Sequence, residues 1–387
     1  EHSAGGFGNH QISPVATYIP PNKVQREDHD NSLPSFSSLL ATDCPMSRLD
    51  PQFLVPCPGL PHPHRLAIAP VLALRVVFVD GGVILVMSTH HNMIDGAGSM
   101  QLWDYLATIM KGEAISAEAL SRSNTDRSRV LPLLRADEAV NDYSYLLRPS
   151  PWPLGAPPAT SWCVFLTTRS ALADIKKRSS VFIEETKTDV DYVSSDDALA
   201  AFCWQRISAI RLQGRRCRPG QMSKFGRAVD GRPAVGLSSN YLGHMVVHAV
   251  TCLPVGEVAT RPLCSLAGML RHDLQEARTE WSVRSCATFI SRVKDKSMLL
   301  YGGLYKPETD LCSSSLLKMS TNEPFKMGML GESKFFRKPD GPSIPVCIYF
   351  FPSDNRDKVQ VVLCVTDHDL QGLEGDKEWG YYMQRVG

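Results

Sequence analysis

The sequence has no apolar segment that could cross a membrane, and its positive and negative charges nearly cancel. A spanning helix needs about 20 consecutive apolar residues, and no run in the 387 residues approaches that length. The 41 basic and 40 acidic side chains give a formal net charge of +1. This balance gives no electrostatic reason to expect a nucleic acid or a membrane as a partner. The N-terminal EHSAGGFGNHQ also lacks the basic region and apolar core of a secretory signal.

The eleven cysteines contain no C-x-x-C pair. Zinc ribbons and thioredoxin-like sites need closely paired thiols, so the spacing argues against both. The chain is also too long for a small disulfide scaffold. We therefore expect reduced, mostly buried thiols in a cytoplasmic protein. We also expect the protein to be a monomer. Three catalytic signatures are missing as well: the G-x-S-x-G nucleophile elbow, the P-loop and the H-E-x-x-H zinc motif.

The first half of the chain contains a clear hairpin followed by a helix. Residues 72–79 and 83–90 are apolar and β-prone, and Asp80-Gly81-Gly82 between them is a strong turn signal. Helical spacing of apolar residues then predicts a helix over 97–112. The string THHNMIDG (89–96) therefore lies at a strand-to-helix junction. Residues 1–70 are predicted to be loops with short elements, and the polar, then Pro-rich 113–160 is predicted to be a linker.

The second half again mixes strands and helices. Residues 189–214 are predicted to form a strand, a cap and a helix, in which Ser194 and Asp197 fit a capping box. Mixed elements in both halves predict an α/β fold with two lobes, 1–160 and 161–387. The other predicted elements are strands at 162–168, 245–253, 343–351 and 358–366, the last two paired, and helices at 170–178, 257–277, 283–294 and 367–386.

The junction at 89–96 is the strongest candidate for chemistry. A neutral imidazole at a strand end can take a proton from an incoming nucleophile, which favours His91 as a general base. In this interpretation Asp95 would pair with a cation and hold the turn, and Gly96 would provide a backbone angle that a Cβ would forbid. Alternatively, His91 is a satisfied core histidine and Asp95 only caps the following helix. A metal site formed by His90, His91 and Asp95 is a third interpretation. Adjacent residues on a strand point to opposite faces, so we predict no metal there.

Four further segments resemble the BAHD acyltransferases, in which H-x-x-x-D-G follows a strand in a two-lobed α/β chain. The wider superfamily includes chloramphenicol acetyltransferase and the condensation domains of nonribosomal peptide synthetases. The resemblance reaches from about residue 40 to the C-terminus and is closest to the fungal trichothecene 3-O-acetyltransferase-like branch. The matching segments are VSSDDALAAFCWQRI (193–207), VDGRPAVGLSSNYLGH (229–244), LGESKFFRKP (330–339) and GDKEWGYYMQRVG (375–387).

The resemblance implies a CoA-dependent O-acyltransferase with two similar chloramphenicol-acetyltransferase-like lobes, each a mixed sheet flanked by helices, and a channel between them. His91 would be the general base, with no covalent acyl-enzyme. Asp95 would be a structural aspartate that points away from the channel and pairs with Arg232, with Gly96 completing the motif and His90 in a supporting role. Acetyl-CoA would be a co-substrate, and no cofactor would be bound permanently. Substrate or CoA contacts are assigned in the same way to Ser194, Asn240, Tyr241, Gly243 and Gly331.

The chain departs from the family pattern at two positions. The Asp-Phe-Gly-x-Gly signature is replaced by FKMGMLG at 325–331, which has no aspartate, and the Asn-Tyr-x-Gly-Asn segment ends in His244. The family's first strand and helix are also expected ahead of the region seen here. The predicted activity is acetyl transfer to a hydroxyl of a fungal secondary metabolite such as a terpenoid. Two alternatives stay open: condensation-like transfer from a carrier protein, and a non-catalytic relative that binds a metabolite or a partner.

Overall fold

The fold is known from a computed structural model. It describes residues 33–57, 70–127, 129–149, 158–181, 190–317, 324–339, 344–353 and 357–386. The loops predicted for 1–32 and 58–69, and the Pro-rich 150–157, lie outside the described residues.

The predicted hairpin is confirmed. Its strands pair antiparallel from Leu72↔Thr89 to Val79↔Gly82. Asp80 and Gly81 form the turn, where Gly81 has a φ of +77° that favours glycine. The second strand ends at Thr89, one residue earlier than predicted. The elements of this half are α1 (Phe36–Ala41), α2 (Pro51–Leu54), β1 (Leu72–Val79), β2 (Gly82–Thr89), α3 (Gly96–Met110) and α4 (Ala117–Ser123).

The second half forms a seven-stranded mixed sheet among the described residues. Its strand order is β5-β4-β6-β7-β8-β3-β9, and only the β4/β6 and β6/β7 pairs are parallel. The predicted pairing of the last two long strands is confirmed, because β7 and β8 are antiparallel neighbours. The elements are β3 (Ser161–Thr168), α5 (Arg169–Ser180), α6 (Ser195–Gln213), β4 (Met222–Asp230), β5 (Val246–Pro254), α7 (Val255–Thr260), α8 (Leu263–Ala277), α9 (Glu280–Arg292), β6 (Leu311–Ser315), β7 (Cys347–Pro352), β8 (Lys358–Val365), α10 (Asp367–Gly375), α11 (Lys377–Tyr382) and β9 (Gln384–Arg385).

The main core lies between one face of this sheet and the helices α5, α6 and α8. Helix α6 is buried on nearly all sides, which fits its apolar residues on every face. The capping box predicted at its start is present, since Ser194 Oγ accepts from the Asp197 N–H and the Asp197 carboxylate accepts from the Ser194 N–H. The strand predicted just before it is wrong over 190–193, which carry no strand.

Two long predicted helices are each divided in the structure. The helix predicted over 257–277 breaks between α7 and α8 at Arg261 and Pro262, because proline disfavours a helical conformation in the residue before it. The helix predicted over 367–386 ends at Gly375. Asp376 then caps α11, accepting from the Trp379 N–H at 2.7 Å, and β9 adds to the edge of the sheet.

Segments from both halves pack together. The stretch predicted as a linker is packed where it is described, since Tyr143 and Leu146 are buried against Val229 of β4. Two residues of the second half contact the first half. Phe335 packs against the small core under the hairpin, and Arg337 donates to the Cys44 carbonyl at 3.2 Å. The division of lobes at residue 160 stays a prediction. Among the described helices, none combines the length and the apolar character that a membrane span requires.

Candidate active site

The turn after β2 brings both histidines out of the strand. The His90 carbonyl accepts from the Met93 and Ile94 N–H groups, at 2.8 and 3.1 Å, which closes a tight turn. The argument that His90 and His91 face opposite ways on a strand is therefore wrong, because strand alternation ends at Thr89. No group of three or more potential metal ligands occurs among the described residues.

Asp95 combines the two roles that the sequence left open. Its Oδ1 accepts from the Gly98 N–H at 3.0 Å and so caps α3. The same atom receives Arg232 Nη2 at 2.8 Å, and Oδ2 accepts from the Met245 N–H at 2.8 Å. Burial alone would raise the pKa of Asp95. The hydrogen bond and charge of Arg232, together with the backbone hydrogen bonds from Gly98 and Met245, hold that pKa below 3.8. The carboxylate is therefore ionised and fully used in structural contacts.

Arg232 joins the turn to the other half of the chain. Its side chain is 1% exposed and donates to Asp95, to Asp230 at 2.9 Å, and to the carbonyls of Tyr241 at 3.0 Å and Gly243 at 2.7 Å. The ion pair implied by the family resemblance is therefore present, between residues 137 positions apart. Burial by itself would lower the pKa of Arg232, but the two aspartates raise it.

Backbone pairing adds a second connection between the same two segments. Ile94 and Gly243 form an isolated antiparallel bridge, and the His244 N–H donates to the Met93 carbonyl at 2.9 Å. The position of His91 is thus set by segments from both halves of the chain.

The glycine that this packing requires is Gly98. A Cβ at Gly98 would collide with the Leu242 carbonyl oxygen, so a side chain would separate the two segments. Gly96 is the first residue of α3 and does not have a positive φ. The backbone angle predicted for Gly96 is therefore wrong, since an ordinary helical conformation suits any residue.

Four rings surround the open side of the turn. The His91 ring centroid lies 5.2 Å from that of Tyr301 and 5.7 Å from that of His244. Tyr301 is also 5.6 Å from His244 and 4.7 Å from His248. The three imidazoles are half-buried, whereas Tyr301 is 54% exposed, so this ring cluster borders open space.

Burial keeps two of these imidazoles neutral. It lowers the pKa of His244 from 6.5 to about 4, an effect that Asp95 only partly opposes. It lowers the pKa of His248 from 6.5 to about 3. Desolvation of its hydroxyl raises the pKa of Tyr301, although more than half of the residue's surface is exposed. Near neutral pH the cluster therefore holds two neutral imidazoles and a phenol that keeps its proton.

The remaining predicted residues lie in structural contacts. Tyr241 and Gly243 hold Arg232, as described above. Ser194 caps α6, and its partner Asp197 forms buried ion pairs with two arginines. Asn240 Nδ2 donates to the Tyr105 hydroxyl at 3.4 Å. Their assignment to substrate or CoA binding stays a prediction.

Gly331 lies well away from the turn. It follows a 3-10 turn at 328–330, in which Gly328 lies against the Met110 carbonyl at the C-terminal end of α3. His91 is near the other end of this 15-residue helix, roughly 20 Å along its axis. The replaced family signature at 325–331 therefore removes no group from the ring cluster.

Sequence reasoning missed His248 and Tyr301. His248 lies on the strand predicted over 245–253, but His244 precedes that strand, so alternation along the strand does not relate the two residues. Tyr301 follows β5 and three helices, and no local pattern connects it to His91.

Comparison with known proteins agrees with this architecture. Residues 1–109 match the profile of the trichothecene 3-O-acetyltransferase-like N-terminal domain. The O-acetyltransferase SAT5 of Stachybotrys chartarum is 46% identical over 384 residues, covering 99% of this chain and 82% of that protein. Trichothecene 3-O-acetyltransferase TRI101 of Fusarium sporotrichioides is 30% identical over 396 residues, covering 100% of this chain and 84% of that one.

A solved structure shows the same two-lobed fold. F. sporotrichioides TRI101, complexed with coenzyme A and T-2, superposes with a TM-score of 0.81 at 28% identity, over 93% of this chain and 79% of that one. Because nearly the whole sequence aligns with SAT5 and TRI101 at these identities, the chain belongs to the family of fungal O-acetyltransferases that includes trichothecene 3-O-acetyltransferase, and it is an acyltransferase.

Proposed function

We propose that the protein transfers an acetyl group from acetyl-CoA to a hydroxyl group of a small fungal metabolite, with His91 as the general base. The observation that carries this proposal is the position of His91, which is fixed by both halves of the chain and faces a half-open cluster of rings. Support also comes from the relatives, since TRI101 has been crystallised with coenzyme A and either T-2 or deoxynivalenol. A terpenoid alcohol is therefore the acceptor class to test first.

The reaction needs one base and no covalent acyl-enzyme. His91 takes the proton of the acceptor hydroxyl as its oxygen attacks the thioester carbonyl. The tetrahedral oxyanion then collapses, the carbon–sulfur bond breaks, and the CoA sulfur leaves with the proton held by His91. The products are the ester and free CoA, and the base returns to its neutral form.

The oxyanion requires hydrogen-bond donors that are already in place. The ring cluster offers two: the Tyr301 hydroxyl, whose raised pKa keeps it protonated, and the neutral His244 imidazole, which keeps one N–H. Asp95 and Arg232 are positioning residues in this scheme, because both are 1% exposed.

A thiol-release assay with acetyl-CoA and a panel of terpenoid alcohols tests the proposal. We expect release of free CoA that depends on the alcohol, together with an ester product of matching mass. Transfer only from a carrier-bound acyl group would favour the condensation-like alternative. Alcohol binding without any CoA release would favour the non-catalytic one.

His244 provides a prediction about acid stability. The unfolded chain gains a proton there near pH 6.5, whereas the folded chain gains it only near pH 4. Acidification through this window therefore favours unfolding, by roughly 3 kcal/mol. His244→Asn restores the residue expected from the family pattern and should reduce the loss of melting temperature between these pH values.

The matched control is His272→Asn, which removes an imidazole that is 46% exposed on α8. Thermal melts of both variants and the parent across this pH range make the comparison. An acid dependence of His244→Asn equal to that of the parent and the control would contradict the prediction.

The near-zero net charge supports an enzyme without a nucleic-acid or membrane partner. The cytoplasmic location, the monomeric state and the lobe boundary at residue 160 remain predictions of the sequence.

A further inference from the structure

Three cysteines lie side by side across neighbouring strands of the large sheet. Cys312 of β6 is the register partner of Cys347 of β7. The antiparallel pairing of β7 with β8, Ile348↔Leu363, places Cys364 next to Cys347 in the same row. All three are free thiols.

The row faces the side of the sheet that carries the ring cluster. Leu311 and Ile348, the neighbours of the two cysteines along their strands, lie in the core under the helices. Because side chains alternate along a strand, Cys312 and Cys347 point to the opposite face. The register Gly226↔Cys312 and Ala228↔His248 places His248 on that face as well.

A small reagent would reach the row through Cys312. Cys312 is partly exposed, whereas Cys347 beside it is buried, at 7% exposure. Cys364 is fully buried, and its Sγ donates to Thr160 Oγ1 at 3.4 Å.

The register places the two thiols within reach of one bridging atom. Neighbouring strands lie about 4.8 Å apart, and Cys312 and Cys347 are facing partners on two such strands. An atom inserted between the two sulfurs would span them without pulling the strands together.

We propose that Cys312 and Cys347 form a vicinal dithiol site for thiophilic species that bridge two sulfurs, such as trivalent arsenicals, and that its occupation blocks acyl transfer. The blocking arises because the bridged group would fill space on the sheet face next to Tyr301 and His248. The binding step stands by itself, whereas the blocking step rests on the proposed transferase function.

The chemistry is a condensation without any change of oxidation state. Phenylarsine oxide reacts with two thiols, two arsenic–sulfur bonds form, and the arsenic-bound oxygen leaves as water with both thiol protons. A soluble dithiol reverses the reaction by exchange, whereas a monothiol cannot hold the arsenic as a chelate.

The test treats the full chain with phenylarsine oxide and measures intact mass and acetyl transfer in parallel. We expect an adduct and loss of transfer, both reversed by a dithiol and not by a monothiol. Cys312→Ser and Cys347→Ser should lose the adduct and the inhibition. The controls Cys252→Ser, at an exposed cysteine of β5, and Cys364→Ser should keep both.

An adduct that persists in Cys312→Ser and disappears in Cys364→Ser would overturn the assignment of the pair. An adduct that leaves transfer unchanged would overturn the blocking role. Alanine variants and thermal melts show whether a lost adduct reflects a lost fold. If the untreated parent transfers to no alcohol, the proposed function fails, and the mass readout still decides the dithiol site.

Discussion

An enzyme with alanine in place of His91 is expected to bind CoA almost as the parent does and to transfer the acyl group about 10²–10⁴-fold more slowly. The reason is that the imidazole contributes to the transition state by taking a proton, whereas the turn that holds it is fixed by backbone contacts. The loss should therefore appear in kcat with little change in KM. Steady-state kinetics and calorimetric CoA binding measure the two effects separately.

His90→Ala is the matched control, since it removes the neighbouring imidazole from the same turn. The backbone carbonyl that closes the turn remains in this variant, so kcat should stay close to that of the parent. If His90 proves essential for turnover and His91 does not, the general base is His90 and the assignment to His91 is wrong. If neither change affects turnover, neither histidine is the general base, and the result favours the non-catalytic alternative.

Asp95→Asn should lower the free energy of unfolding by about 3–5 kcal/mol, the usual cost of removing one partner from a buried ion pair. Arg232 would keep its charge at 1% exposure, and Asp230 would be the one ion-pair partner left to it among the described residues. Transfer should fall as well, because the turn carrying His91 loses its connection to residues 241–245. Thermal and denaturant unfolding measure the stability change, and kcat measures the positional effect.

The Asp95 carboxylate also makes the free energy of unfolding depend on pH. Its pKa is held below 3.8 in the folded protein, so its contribution is present above that pH and is lost as the pH falls through the folded value. Glu118→Gln is the control, because Glu118 and its partner Arg122 are 73% and 57% exposed. An exposed pair contributes about 0–1 kcal/mol. Equal costs for the two variants would show that Asp95 is not a structural ion-pair partner.

Local elements were predictable because their causes lie within a few residues. The hairpin follows from β-prone strands around Asp80 and Gly81, and the start of α6 follows from the Ser194–Asp197 capping box. The predictions that failed extended such a local rule beyond the end of the element in which it holds. Strand alternation was extended past Thr89 to His90 and His91, and helical periodicity was extended through Pro262.

The sequence by itself determined the strand–turn–helix that carries His91, the aspartate that caps it, and the family to which the chain belongs. It also indicated Arg232 as the partner of Asp95, through a motif and not through geometry. Only the tertiary structure decided that His244 and Tyr301 lie against His91, with His248 against Tyr301. It also decided that Cys312 and Cys347 stand side by side. The physical reason is that turns and caps are governed by contacts within a few residues. Residues far apart in the chain, in contrast, become neighbours only when sheet order and strand register are settled by the packing of the whole core.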